Sequence, residues 1–155
     1  MHEKFMKAAI EQAHYGMDHN YGGPFGAVIV KNEEIISTGS NRVTSTFDPT
    51  AHAEIVAIRQ ACSRLNDFSL RECQIYTSCE PCPMCLGAIY WSRIDSIYFA
   101  ASREDAAKIG FDDHFFYEEI KKDLEKRKIP MNQLLQKDSV KVFDLWQQKA
   151  NKTHY

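Results

Sequence analysis

Two short motifs constrain this chain more than anything in its overall composition. His52-Ala53-Glu54 and Pro81-Cys82-Pro83-Met84-Cys85 stand about thirty residues apart, with the strand-like run Gln74-Ile75-Tyr76-Thr77 between them. Each motif sits where a helix is expected to begin. Two cysteines three apart reach one ion from a single helical turn, and a histidine from the preceding helix start supplies a third ligand. The fold must therefore aim two helix N-termini at one spot. Three protein ligands leave the fourth tetrahedral position open, the arrangement of a catalytic zinc. Soft sulfur with imidazole favours Zn2+ over magnesium or calcium, and helix N-termini facing the ion favour the thiolate forms. Glu54, two residues past His52, is placed to hydrogen-bond a water at the ion without ligating it, which is the position of a proton shuttle. The competing reading rests on Cys79, which would complete a closed Cys3His structural site if it turned inward.

The flanking sequence supplies the elements such a site needs. Phe5, Met6, Ala9, Ile10, Ala13 and Met17 recur at helical spacing, predicting a first helix whose apolar stripe packs on a sheet. Tyr21-Gly22-Gly23-Pro24 ends it. The runs 25–30 and 34–38 flank the polar turn Lys31-Asn32-Glu33 and predict a β-hairpin. Asp48-Pro49 reads as an N-cap followed by a first-turn proline, opening a helix that runs to about Leu65. A strand at 74–77, a helix opened by Pro81 and Pro83 and continuing through Trp91, and a strand at 96–100 make a βαβ unit with a parallel pair. With the hairpin the sheet is mixed, and the class is α/β in layers. Beyond residue 101 the pattern weakens: 112–120 is polar and aromatic, and 140–146 predicts a final helix carrying Val142, Phe143 and Trp146. At 155 residues the whole chain reads as a single domain.

Composition narrows the partners. A formal net charge of −2 leaves no global positive field, so a small molecule is the expected substrate and nucleic acid is not. The basic run Lys121 to Lys128 is interrupted by Asp123 and Glu125 and reads as a solvated face. The N-terminus lacks a signal-peptide layout and no apolar run approaches the ~20 residues of a membrane span, so a cytoplasmic location is the expectation. Five cysteines, three of them between 79 and 85, suit a reducing compartment and a metal site; Cys62 and Cys73 read as buried thiols.

A His-x-Glu at one helix start and a Pro-Cys-x-x-Cys at the next form the zinc-deaminase signature. With Gly22-Gly23-Pro24-Phe25-Gly26-Ala27-Val28, Asn41, Thr50-Ala51-His52-Ala53-Glu54, the run from Thr77 to Cys85, Gly110-Phe111-Asp112-Asp113 and the terminal Tyr155, the chain resembles the cytidine-deaminase-like superfamily over nearly its whole length. Within it the sequence is most similar to the small bacterial guanine deaminases. That resemblance implies a three-layer α/β/α fold on a mixed five-stranded sheet and a homodimer. It further implies exchange of a C-terminal segment, residues 130–155, so that Tyr155 of one subunit closes the other's site. The implied reaction is hydrolytic deamination of guanine at C2, giving xanthine and ammonia. Glu54 carries the protons, Asn41 pairs with ring atoms, Phe25 stacks on the base, and Asp113, or its neighbour Asp112, accepts the amino group. The backbone N–H groups near Ala53 and Cys82, and the side chain of Trp91, are further substrate contacts. Read without the resemblance, Asn41 is equally a turn residue, Phe25 a core residue, Asp113 an N-cap for the segment that follows, and Tyr155 a frayed terminus. A tRNA adenosine deaminase, a cytosine, creatinine or other small-amidine deaminase, and a non-catalytic zinc-stabilised binding module stay open as alternatives.

Overall fold

Alternate residues of a strand face opposite sides of its sheet, and in β1 (Gly26–Lys31) both sides are covered. Ala27 and Ile29 pack with Ala53, Ala57 and Ala61 of α3 (Ala53–Leu65), whereas Val28 and Val30 pack with Phe5 and Ala9 of α1 (His2–Asp18). The result is helix, sheet, helix. The computed structural model describes residues 2–155, and the chain divides at Asp113 into two compact units.

In the first unit the sheet order is β2-β1-β3-β4. β1 is antiparallel to β2 (Glu34–Ser40) and to β3 (Cys73–Cys79), and β3 is parallel to β4 (Ser96–Ala101). The β1–β2 connection turns through Asn32 and Glu33, both at positive φ, as a tight hairpin of matching twist requires. The β3–β4 crossover is α4 (Pro83–Trp91), so the expected hairpin, parallel pair and mixed sheet are all present. The expected fifth strand is not: among the described residues the sheet has four strands. No alternating apolar run follows β4; the chain instead continues into α5 (Arg103–Lys108), whose capping box at Ser102 and Asp105 commits it to helix.

Other boundaries shift for local reasons. On α1 the buried residues are Phe5, Ala9, Ala13 and Gly16, while Ile10 and Met17 of the expected stripe are exposed. Beyond Phe5, small side chains define the contact face. The helix expected at Asp48 begins at Ala53, because the Asp48 carboxylate accepts the Thr50 N–H at 2.8 Å and the Thr50 hydroxyl at 2.6 Å, closing a turn. Its other end falls at Leu65, capped by Asn66 in the left-handed region. Pro81 lies outside α4, which starts at Pro83, and a four-residue helix, α2 (Val43–Thr46), was not foreseen. At Gly39 a Cβ would stand 2.2 Å from the Ala53 carbonyl oxygen, so only glycine lets the start of α3 settle on β2. That contact fixes where His52 sits.

The second unit holds α6 (His114–Lys121), a 3-10 turn (Leu124–Lys126) and α7 (Gln136–Gln148), the last covering the expected final helix. None of these elements has a buried residue. Lys121, Lys122 and Lys126 each pair with an acid three residues earlier, which makes the basic run a solvated face. Among the described residues no helix is long and apolar enough to cross a membrane.

Candidate metal centre and active site

His52 and Cys82 occupy equivalent positions, the N-caps of α3 and α4, with extended backbones at φ −67°, ψ 157° and φ −66°, ψ 167°. An N-cap side chain ordinarily turns back onto its own helix, but neither of these does. Both turn toward each other. Cys85, buried one turn into α4, completes the group, and the three ligand atoms lie within 4.8 Å of one another. His52 Nδ1 is 3.6 Å from Cys82 Sγ and 3.5 Å from Cys85 Sγ. Tetrahedral zinc with ordinary Zn–N and Zn–S bonds would hold its N and S ligands about 3.6 Å apart. The donors already stand at that spacing, and one imidazole with two sulfurs is a zinc donor set. Cys79 is not in this group; its thiol donates to the Ser102 carbonyl at 3.5 Å, so the closed four-ligand arrangement is not formed.

The charges in the site follow from this crowding. The Cys82 thiol is brought down to about 4, first because Cys85 donates to its sulfur and then, against the cost of burial, because His52 does. Cys85 is driven up as that donor, and His52 is raised chiefly by its bond to Cys82. The two helix N-termini add positive potential at the same place. Glu54, buried in the first turn of α3, is raised by burial and next by the Cys82 charge, partly offset by its own backbone N–H, so its carboxyl holds a proton more readily than an exposed glutamate. Cys79 is pushed up to about 11 by burial and by Glu54, and remains a thiol.

The residues expected to hold substrate fall into two groups. Asn41 is buried, and its Oδ1 accepts the Gly23 N–H at 3.3 Å and the Val43 N–H at 3.1 Å. This fixes the amide orientation and directs both amide hydrogens elsewhere; among the described residues the amide nitrogen makes no hydrogen bond. Gly22 is part of the same arrangement, since a Cβ there would fall 2.1 Å from Asn41 Oδ1. Phe25 packs against the α3 side of the core and meets Phe111 edge-on at 4.9 Å, a contact that reading single residues did not reveal. Ala53 is buried at the first position of α3, where its N–H has no carbonyl within the helix to bind. Asp113 is raised by burial and then by the charge on Cys82, which puts its carboxyl within electrostatic range of the ligand group. Trp91 is not brought there: it ends α4, about 13 Å of helical rise from Cys82, and is 66% exposed. Tyr155 belongs to the second unit and is 75% exposed.

Residues 1–101 match the model of the cytidine and deoxycytidylate deaminase zinc-binding region. The chain belongs to this zinc-deaminase family. The deaminase is 52% identical to guanine deaminase of Bacillus subtilis over 154 residues, 99% of each chain. The X-ray structure of guanine deaminase from Bacillus subtilis superimposes with a TM-score of 0.97, covering 100% of this chain and 99% of that one. A tRNA-specific adenosine deaminase of Aquifex aeolicus is 46% identical over 99 residues, 64% of this chain and 65% of that protein. The deaminase is thus a zinc-dependent hydrolase, and His52, Cys82 and Cys85 form a possible site for its zinc.

Proposed function

We propose that the protein hydrolyses guanine to xanthine and ammonia. The observation that carries this reading is the 52% identity to a guanine deaminase across the full chain, second unit included, where the match to the adenosine deaminase of Aquifex aeolicus spans only 64%. His52 Nδ1, Cys82 and Cys85 would hold the zinc, which when bound would supply the Lewis acidity that acidifies a water. Glu54 carries two protons in turn: one from the attacking water to the ring nitrogen as oxygen bonds to C2, and a second from the hydroxyl so formed to the amino nitrogen as the C2–N bond breaks and the carbonyl forms. Its buried, raised carboxyl suits both directions of transfer. Asn41 donates from its fixed amide to a ring acceptor, Ala53 donates its free N–H, and Phe25 stacks on the base. Asp113 accepts from the departing amine.

The second unit favours a homodimer. Two amphipathic helices without a buried residue do not hold their own place, and exchange of residues 130–155 between subunits would give them a core and bring Tyr155 over a partner's site. On α4, Met84, Tyr90 and Trp91 are exposed apolar side chains, which supports docking of a second copy there. Five free cysteines fit a reducing, cytoplasmic setting.

The test is ammonia release by the zinc-loaded protein from guanine, adenine, cytosine, their nucleosides and an anticodon-loop RNA, with Glu54→Gln alongside. Xanthine formed from guanine in preference to the rest supports the reading. Preferential turnover of the RNA would move the assignment to the adenosine deaminase branch, and the net charge of −2 argues against that outcome.

A further inference from the structure

We propose that Tyr21 and Arg42 are positioning residues for Asn41, stacked so that they lock the two segments between which its amide is held. The Arg42 guanidinium lies 3.8 Å over the Tyr21 ring. Main-chain bonds run beside the stack: the Tyr21 carbonyl accepts the Ser45 N–H at 3.1 Å and the Thr44 hydroxyl at 3.0 Å. The loop from Tyr21 to Phe25 is thereby fastened to Asn41 and α2. Asn41 sits in the seam. Its N–H donates to the Phe25 carbonyl at 3.0 Å, and its Oδ1 takes one N–H from each segment, Gly23 from the loop and Val43 from α2. The Arg42 N–H donates to the Ala51 carbonyl at 2.9 Å, one residue before His52. The stack therefore closes a frame joining Phe25, Asn41 and the metal ligand.

The aromatic side is braced. Tyr15 meets Tyr21 edge-on at 5.9 Å, and His19 stacks on Tyr21 at 5.5 Å while its Nδ1 bonds the Tyr15 carbonyl oxygen at 2.8 Å. Tyr15 of α1 and His19 just beyond it thus brace the ring over which the guanidinium lies. The Gly23 bond to Asn41, at 3.3 Å, is long for an N–H to oxygen bond, so a loop released by a few tenths of an ångström would lose it. Asn41 would then be free to rotate its amide. The stack needs a plane as well as a charge, which arginine supplies and lysine does not.

The proposal rests on the reading of Asn41 as a substrate contact, and a double-mutant design separates the two. Steady-state kinetics on guanine are measured for zinc-loaded Arg42→Ala, Arg42→Lys, Tyr21→Ala and Tyr21→Phe, each alone and with Asn41→Ala. A lost exposed cation–π contact corresponds to about a two- to fivefold change in an equilibrium. Arg42→Ala, Arg42→Lys and Tyr21→Ala are expected to raise KM by roughly that factor with kcat within about twofold, whereas Tyr21→Phe, which keeps the ring, restores the native KM. In the Asn41→Ala background the three that raise KM lose their effect, because the group they position is gone. Arg42→Ala without effect, or an effect undiminished in the Asn41→Ala background, would overturn the positioning role while leaving the Asn41 contact intact. An Asn41→Ala protein with native KM would instead overturn the contact and this proposal with it.

Discussion

The two units of the chain use their apolar residues in opposite ways. In the first, β1 and β3 bury Ala27, Val28, Ile29, Ile75 and Tyr76 completely, and small residues of α1 and α3 close the layers on either side. In the second, Phe116, Ile120, Leu134, Leu135, Phe143 and Leu145 are all more than half exposed. Both units carry amphipathic helices, so amphipathicity alone does not make a core; a helix needs a surface to lie on. What the first unit gains is a rigid platform. His52, Glu54, Cys82 and Cys85 all hang from helix starts fixed by that sheet, and their spacing suits a metal before one arrives. The helices of the second unit bury no residue and carry no such site.

The largest effect that tests this division is chemical. Glu54→Gln removes the proton carrier while leaving the shape of the first unit, so kcat should fall by at least about a thousandfold, toward the upper end of what general acid–base groups contribute. Zinc content and melting temperature should stay near native. Residual turnover within tenfold of native would take Glu54 out of the role.

Next comes the contrast in packing. Ile75 is fully buried between the layers, and Ile75→Ala should cost about 2–5 kcal/mol in denaturant unfolding. Phe143 is a larger side chain, yet in dilute protein Phe143→Ala should change stability by only about 0.5 kcal/mol, as exposed positions do. Its effect should appear in sedimentation as weaker self-association. Equal destabilisation by both substitutions would mean that the second unit has a core of its own.

The metal centre gives an intermediate effect with a definite sign. In the metal-free site Cys82, brought down to about 4, has already lost its proton at neutral pH, whereas Cys85 is driven up and retains its own, and His52 is raised by its bond to Cys82. Zinc binding requires all three as deprotonated ligands, so loading at pH 7 should release protons, chiefly that of Cys85, and affinity should fall as pH falls. Calorimetric titration in buffers of different ionisation enthalpy counts them. Release of no proton would contradict the charge assignment.

The sequence was most informative where chemistry demands particular residue types. His52, Cys82 and Cys85 were recognisable because few other arrangements of those side chains at helix starts make sense, and the structure brings the three together. The hairpin and the parallel pair were legible from alternation and punctuation. The start of α3 was not, because Asp48 caps a turn and a helix with the same side-chain oxygen, and only the position of Thr50 decides between them. The number of strands came from resemblance and not from any apolar run after Ala101, and that is where it failed. Contacts between segments distant in sequence, such as Arg42 on Tyr21 or Phe111 on Phe25, leave no periodic trace.

The smallest predicted effect lies near the boundary between the units, at the start of α5. Ser102 accepts the Asp105 N–H, and the Asp105 carboxylate accepts the Ser102 N–H at 3.1 Å, so two helix-start groups are satisfied at once. The Lys108 ammonium and the Ser102 N–H hold Asp105 down at about 2. A depressed carboxylate contributes stability above its unfolded pKa and loses it as pH falls through the folded one, here between about 4 and 2. Ser102→Ala should cost about 1 kcal/mol at pH 7, the usual value of a lost N-cap; the part carried by the Ser102 hydroxyl's bond to the Asp105 carboxylate, 3.0 Å, fades as the solution approaches pH 2, while the part carried by the Asp105 N–H persists. Because α5 belongs to the first unit and leads directly to Gly110 and Asp113, the same substitution should slow guanine turnover slightly while leaving self-association unchanged. A loss of self-association instead would tie α5 to the second unit and blur the division at Asp113.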